Sequence, residues 1–310
     1  MGYESLGLAS GLEELVAVAR HQHVTRAADQ LGVAQPTLSR NVARLSKQLG
    51  TPLLRREGRG VRLTRHGQLL AEHAERALDE LLAGIRAVQA EADPDSGTVT
   101  LGFLHSMGPT AVPALLRGFR QNHPKITVRL VQDGAEELLR WVLTGKLDLC
   151  VTSASPPVQP ALRLRRLAEQ ALCLLVPADH RLAGRQRVRL ADVGTEPMIT
   201  MVPGYGLRTL TDNLMGAAGL PVEYSYQSQE LTTAAGLVAA GLGVALIPAG
   251  TGVPGTVELA ISEPKASRTI VLAWSGERPL SAPANELRQH IANEAPALLR
   301  RTTARRNGET

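Results

Sequence analysis

The sequence predicts an α+β chain of several domains: an N-terminal winged helix-turn-helix, a long linker helix, and a C-terminal α/β domain of two subdomains. Three observations predict it. Residues 25–64, TRAADQLGVAQPTLSRNVARLSKQLGTPLLRREGRGVRLT, read as two short helices around a tight turn, followed by a basic hairpin. Residues 65–92 hold one helical pattern without a proline. From residue 97 onward, strand-like and helix-like segments alternate. The length of 310 residues fits about two compact regions with a connection, and the 44% hydrophobic content supplies their cores.

Leu12, Leu15, Val16 and Ala19 give a first helix with one apolar side. Thr25 is placed to cap the next helix, whose buried side carries Ala27, Ala28 and Leu31. Gly32 ends that helix and Val33 packs beneath the turn. A further helix starts near Gln35 and Pro36, because proline's missing N–H costs nothing in a first turn. Leu38, Val42, Leu45 and Leu49 recur at helical spacing, so one face is buried. The other face offers Gln35, Thr37, Ser39, Arg40, Arg44 and Lys47, the layout of a helix that enters a major groove.

Residues 53–56 and 61–63 read as strands around the turn Glu57-Gly58-Arg59-Gly60. Between Gln35 and Arg65, eight basic side chains stand against one acid, Glu57. Such a stripe neutralises phosphates, so double-stranded DNA is the expected partner. Gln35, Thr37, Ser39 and Arg40 are the expected base-edge contacts, with Thr25, Arg26 and Pro36 beside them. Arg44, Arg56, Arg59 and Arg62 are expected at phosphates, and Arg59 at the hairpin tip in a minor groove. A helical bundle with a solvated basic face is the alternative; the ordered turn, helix start and wing favour DNA.

At these residues the chain resembles the LysR-type transcriptional regulators. The matching segments are TRAADQLGVAQPTLSRNVARL, then LG-x-PLL-x-R, then GRGVRLT and Gly67. Ser46, Leu54 and Leu15 depart from the family's usual acid, aromatic and Phe, none of them in the expected groove-facing set. The resemblance implies a periplasmic-binding-protein-like effector domain, a small-molecule effector and a linker helix that dimerises. It also implies tetramers formed from dimers, with RNA polymerase a further candidate partner. HVTRAADQLGVAQPTLSRNVARL, REGRGVRLT and GFLHSMG are similar to the branch that regulates glutamate synthase, which implies a 2-oxo acid or amino-dicarboxylate effector.

Thr64 is placed to cap the long helix. Along it, Ala71, Ala74, Leu78, Leu81, Ile85 and Val88 recur at alternating spacings of three and four, a heptad seam. Ala74, Leu78, Leu81, Ile85 and Val88 are the expected dimerisation residues, and packing on its own domain is the other reading of the same pattern. Residues 93–97, DPDSG, break the helix. The expected organisation is a DNA-binding domain at 1–66, a linker helix at 67–92 and an effector domain at 93–300. Within it, residues 93–165 and 268–300 form one subdomain and 166–267 the other, leaving a disordered tail at 301–310.

In the effector domain, strands are expected at 98–103, 127–131, 147–152, 171–176, 197–201, 244–247 and 268–274. Helices are expected at 109–121, 136–143, 207–217, 232–240 and 284–292. Ligands in such folds bind at strand carboxyl ends and helix N-termini between the subdomains. His105, Ser106 and Met107 follow the first strand, and Gln132 with Asp133 ends the next. Met201, Gly204, Tyr205 and Arg208 form the opposite wall, with Gln229 and Glu230 completing the ring. Arg208 is the expected charge partner of an acidic ligand, and Ser106 is equally placed as a simple helix cap.

No HExxH, paired CxxC, Walker loop or G-x-S-x-G elbow is present, so neither catalysis, a metal nor a cofactor is expected. Cys150 and Cys173 lie far apart in apolar runs and read as buried thiols of a reducing compartment. The start MGYE lacks a basic, apolar leader, and 231–250 breaks into a helix, a glycine turn and a strand, so a cytoplasmic protein is expected. A net charge of +5 agrees with a nucleic-acid partner. An architectural DNA-binding protein without an effector, and an enzyme fused to a DNA-binding domain, are the alternatives.

Overall fold

The computed structural model describes residues 9–57, 60–92, 96–154, 159–194, 196–221 and 223–304. They fall into two compact units that divide between Ile85 and Arg86. In the first unit, α1 (Ala9–His21), α2 (Val24–Leu31) and α3 (Gln35–Gln48) enclose Leu15, Val18, Ala27, Leu38, Val42 and Leu45. Gly32 closes α2 at φ 66°, where a Cβ would be strained, and the Val33 N–H reaches back to the Ala28 carbonyl at 3.0 Å. Helix α2 starts two residues earlier than a Thr25 cap implies, at Val24, because Val24 is buried in this core. His23, not Thr25, is its extended N-cap residue. Leu49 is half-exposed as the C-cap of α3 and not part of its buried face.

Strands β1 (Leu54–Glu57) and β2 (Gly60–Leu63) pair antiparallel and form the wing. Gly58 and Arg59 lie outside the described residues. Ser46 Oγ accepts the Leu53 N–H at 3.1 Å and so ties the end of α3 to the start of the wing. Helix α4 runs Arg65–Ala92. Thr64 caps it: its Oγ1 accepts the Gly67 N–H at 3.0 Å and donates to the Pro52 carbonyl at 2.7 Å. At Gly67 the helix touches the wing backbone, since a Cβ there would stand 2.2 Å from the Leu53 carbonyl oxygen.

The second unit alternates strands and helices: β3 (Gly97–Leu104), α5 (Ala111–Asn122), β4 (Ile126–Asp133), α6 (Ala135–Thr144), β5 (Leu149–Ser153) and β6 (Leu162–Pro177). Then follow β7 (Arg187–Arg189), β8 (Met198–Met201), α7 (Gly206–Ala217), β9 (Tyr226–Ser228), α8 (Leu231–Ala239) and β10 (Val244–Pro248). Strands β11 (Thr256–Glu263) and β12 (Ser267–Ser275) and helix α9 (Ala282–Ala304) complete it. The strands run in the order β4-β3-β5-β12-β6-β10-β8-β9, with β11 also pairing with β6 and β7 pairing with β11.

Two cores result, one around Leu101, Leu149, Ile270 and Leu287, the other around Leu174, Ile199, Val238 and Leu259. The chain passes from one to the other within the 16-residue strand β6 and returns before β12. Ala171 still pairs with Ser267, whereas Leu172 pairs with Pro248 of β10. The first crossing therefore falls later than residue 165, because both halves of β6 belong to one continuous strand. Helix α9 outruns its expected end at residue 292. Ala292, Ala295 and Leu299 bury in the same core as Leu287 and Ile291, and that packing carries the helix through Pro296. No helix among the described residues is long and apolar enough to cross a membrane.

Candidate functional site

Two sites emerge, one in each unit. On α3, Gln35, Pro36, Arg40 and Arg44 are exposed, Thr37 and Ser39 half-buried, and Leu38, Val42 and Leu45 fixed beneath. The polar face is organised by its own contacts. Gln35 Nε2 donates to Ser39 Oγ at 3.0 Å, and Arg40 reaches the Pro36 carbonyl at 3.2 Å and Thr37 Oγ1 at 3.5 Å. Asn41 Nδ2 donates to Glu14 Oε1 at 2.7 Å, which fixes α3 against α1. Thr25 and Arg26 are exposed in the first turn of α2.

On the wing, Arg56 is exposed, while Arg62 Nε lies 2.6 Å from Glu57 and Arg55 3.5 Å from it. Such exposed pairs are weak and exchange readily for phosphate oxygens. Arg59, the expected minor-groove contact, lies outside the described residues.

In the second unit the carboxyl ends of β3, β4, β8 and β9 meet across a cleft between the two subdomains. Its centre is a cavity of about 30 Å³ lined from one side by His105, Ser106, Asp133 and Ala135 and from the other by Met201, Tyr205 and Leu231. Larger recesses flank it. One of about 420 Å³ is walled by Glu136, Arg140, Ser153, Gly204 and Thr209. The other, of about 570 Å³, is walled by Phe103, Met107, Gln132, Gln170, Glu230 and Thr251. His105 bridges the subdomains: its Nε2 lies 3.6 Å from Glu230 Oε1, and its ring stands 5.8 Å from that of Tyr205. Burial raises the Tyr205 hydroxyl's pKa, with Asp133 and Glu230 adding to it.

The structure thus brings His105, Ser106, Met107, Gln132, Met201, Gly204, Tyr205 and Glu230 to the cleft. Two expected residues are not among them. Gln229 is exposed and lines none of the three cavities. Arg208 is taken up elsewhere. Its Nε donates to Asp212 at 3.0 and 3.1 Å, its Nη1 to Gln227 at 3.1 Å, and its guanidinium lies 4.2 Å from the centre of the Tyr224 ring. Tyr224 itself donates to Asp212, so Arg208 belongs to an ion-pair network outside the three cavities.

The cation that does face the central cavity is Arg268, which the sequence reading missed. It is 9% exposed at the start of β12. Its Nη2 donates to Ser106 Oγ and to Gln170 Oε1, both at 2.7 Å, and its Nε to Gln170 Oε1 at 2.9 Å. Strand alternation was the available signal, because Arg268 shares the buried face of β12 with Ile270 and Leu272.

On the described α4, Leu81, Ile85 and Val88 are 62%, 45% and 69% exposed, with Leu82 beside them at 51%. Leu78 is half-buried. Ala74, expected in the seam, is instead 3% exposed and covered by its own chain. The reason is that the start of α4 packs on α1, where Arg20 Nη2 meets Glu75 Oε1 at 2.8 Å.

A groove-facing helix with a wing, followed by a two-lobed domain around a cleft, defines a DNA-binding regulator of the helix-turn-helix class with an effector-binding domain. Residues 10–68 match the bacterial regulatory helix-turn-helix protein model of the lysR family, and residues 92–296 match the LysR substrate binding domain. The chain belongs to the LysR family of transcriptional regulators, which are not enzymes. It is 37% identical to the HTH-type transcriptional regulator YybE of Bacillus subtilis over 282 residues, 90% of this chain and 96% of that one. With the DNA-binding transcriptional dual regulator OxyR of Escherichia coli it shares 32% over 285 residues, 90% and 93% of the two chains. The effector binding domain of QuiR in complex with shikimate superposes with a TM-score of 0.60 at 25% identity, covering 65% of this chain and 98% of that one.

Proposed function

We propose that the cleft binds a small anionic metabolite and that its occupancy alters the DNA-bound oligomer. The observation that carries this reading is the contact of His105 with Glu230 and Tyr205, which joins the two subdomains across the cavity. A ligand seated there competes with or reinforces that contact, so it favours one arrangement of the subdomains over another. The shikimate bound in the QuiR domain, a carboxylic acid, supports an anion in the equivalent domain here.

On DNA, Gln35, Thr37, Ser39 and Arg40 read base edges with Thr25, Arg26 and Pro36 adjoining, and Arg44, Arg56, Arg59 and Arg62 hold the backbone or minor groove. Leu78, Leu81, Ile85 and Val88 join two copies along α4, and pairs of dimers make a tetramer in the cytoplasm. RNA polymerase is its further partner when bound at a promoter.

Peroxide sensing through a thiol does not extend to this chain, although relatives carry the name hydrogen peroxide-inducible genes activator. Cys150 and Cys173 are both buried in strands, and burial pushes the Cys150 thiol well above its ordinary range, away from the reactive thiolate.

The test is sedimentation and DNA binding of the full chain with and without small carboxylates. A ligand that shifts both the sedimentation coefficient and the protection pattern on DNA supports the reading. A ligand that binds and changes neither the oligomer nor its DNA contacts refutes it.

A further inference from the structure

Arg268 is a buried cation without a buried anion. Among the described residues no carboxylate pairs with it; its partners, Ser106 and Gln170, are neutral. Three of its five N–H donors are used, which leaves both of those on Nη1 without a partner there. Burial lowers its pKa only to about 10, so the group stays charged at neutral pH. An uncompensated charge held out of water is costly unless something completes it.

The surroundings are built for an anion. Helices α6, α7 and α8 begin at the central cavity, with Gly134, Tyr205 and Glu230 as N-cap residues, and no side chain caps any of the three. Their first N–H groups and dipoles favour negative charge. Asp133 lines the same cavity and holds its own Gly134 N–H at 2.6 Å, which disfavours a second negative charge.

We infer that the central cavity receives the carboxylate of a small organic acid, anchored by Arg268 and oriented by Ser106, the rest of the molecule extending into a flanking recess. This rests on the cleft being the effector site and names the group that is recognised there. A planar carboxylate suits a guanidinium fork, and its single charge matches the single cation better than a phosphate dianion does.

Formate is the probe for the cavity itself, since at about 30 Å³ it admits little more than a carboxylate. Thermal unfolding of the full chain is measured in sodium formate against sodium chloride at equal ionic strength. Formate is expected to raise the melting temperature, and Arg268→Met to abolish that rise while keeping or increasing basal stability. Gln170→Glu supplies the anion from within. It is expected to raise the melting temperature without formate and to cancel the formate effect, which keeps the test valid should Arg268→Met fail to fold. Larger acids and their primary amides follow. The acids are expected to lose roughly tenfold or more in affinity in both variants, and the amides not to bind. Formate no more stabilising than chloride, or acids binding both variants at full affinity, overturns the anchor. If acids and amides bind alike and neither variant matters, the cleft still holds an effector and only the anchor fails. If none of them binds, the cleft reading fails with it.

Discussion

Arg268 and Ser106 are joined by a 2.7 Å hydrogen bond across 162 positions of sequence. The bond links the end of β3, where Ser106 sits, to the first residues of β12, the strand that returns from the second subdomain. Ser106 is therefore not the helix cap it could have been, since Thr110 is the N-cap residue of α5; its hydroxyl instead holds the cation that faces the cleft.

Ser106→Ala leaves one Nη2 donor of Arg268 without its partner. A hydrogen bond to a charged group is worth about 1.5–3 kcal/mol, and the loss is expected in effector affinity. Isothermal titration with a bound carboxylate measures it, and DNA affinity without effector is expected to stay at the wild-type level. Unchanged effector affinity would show that Ser106 does not hold the guanidinium in its binding position.

Arg40→Ala tests the groove face. Arg40 rests on the Pro36 carbonyl and Thr37 Oγ1 and lies exposed on α3. A base contact predicts a loss of about 1–3 kcal/mol on a selected duplex and little on random DNA. Equal losses on both, read by fluorescence anisotropy, would make it a phosphate contact.

Leu81→Glu with Ile85→Glu places two charges on the exposed stripe of α4. The expected outcome in sedimentation velocity is a smaller species, with weaker binding to two-half-site DNA and an unshifted melting temperature for the second unit. An oligomer of wild-type size would remove α4 from the interface.

Gly67→Ala drives a methyl group to within 2.2 Å of the Leu53 carbonyl oxygen, a contact between two backbones that cannot yield cheaply. Overpacking of this kind costs about 1–3 kcal/mol or more. Loss of DNA binding with a lowered unfolding transition of the first unit is expected, and full DNA affinity would refute the constraint.

Cys150 and Cys173 are expected to resist a thiol reagent and hydrogen peroxide in the native protein and to react only after unfolding, since both are buried. Thiol titration before and after denaturant checks this. Rapid native labelling accompanied by altered DNA binding would restore a redox role.

Much of this architecture was legible in local pattern. The helix-turn-helix was written in Ala27, Ala28, Gly32, Leu38 and Val42, whose spacing and turn chemistry act within a few residues. Thr64 announced the start of α4 in the same way. The wall of the cleft at His105–Met107, Tyr205 and Glu230 followed from the rule that strand ends feed helix starts.

What failed depended on partners distant in sequence. Arg208 looked free until Asp212, Gln227 and Tyr224 were brought around it. Arg268 stood only as the first residue of an expected strand, because Ser106 and Gln170, which hold it, lie 162 and 98 positions away. The early half of β6 escaped notice because its burial is patchy, unlike the fully buried run after Ala171. Ala74 has the spacing of the seam, but α1 covers the start of α4, so spacing alone did not decide which side was free.

The most direct test of the whole account is an anisotropy titration of full-length protein on a selected duplex, with and without the carboxylate that stabilises it most, in wild type and Arg268→Met. The account predicts a ligand-dependent change in affinity or cooperativity for wild type and none for the variant, whose ligand-free isotherm matches wild type. Identical isotherms for wild type with and without a saturating ligand would contradict it.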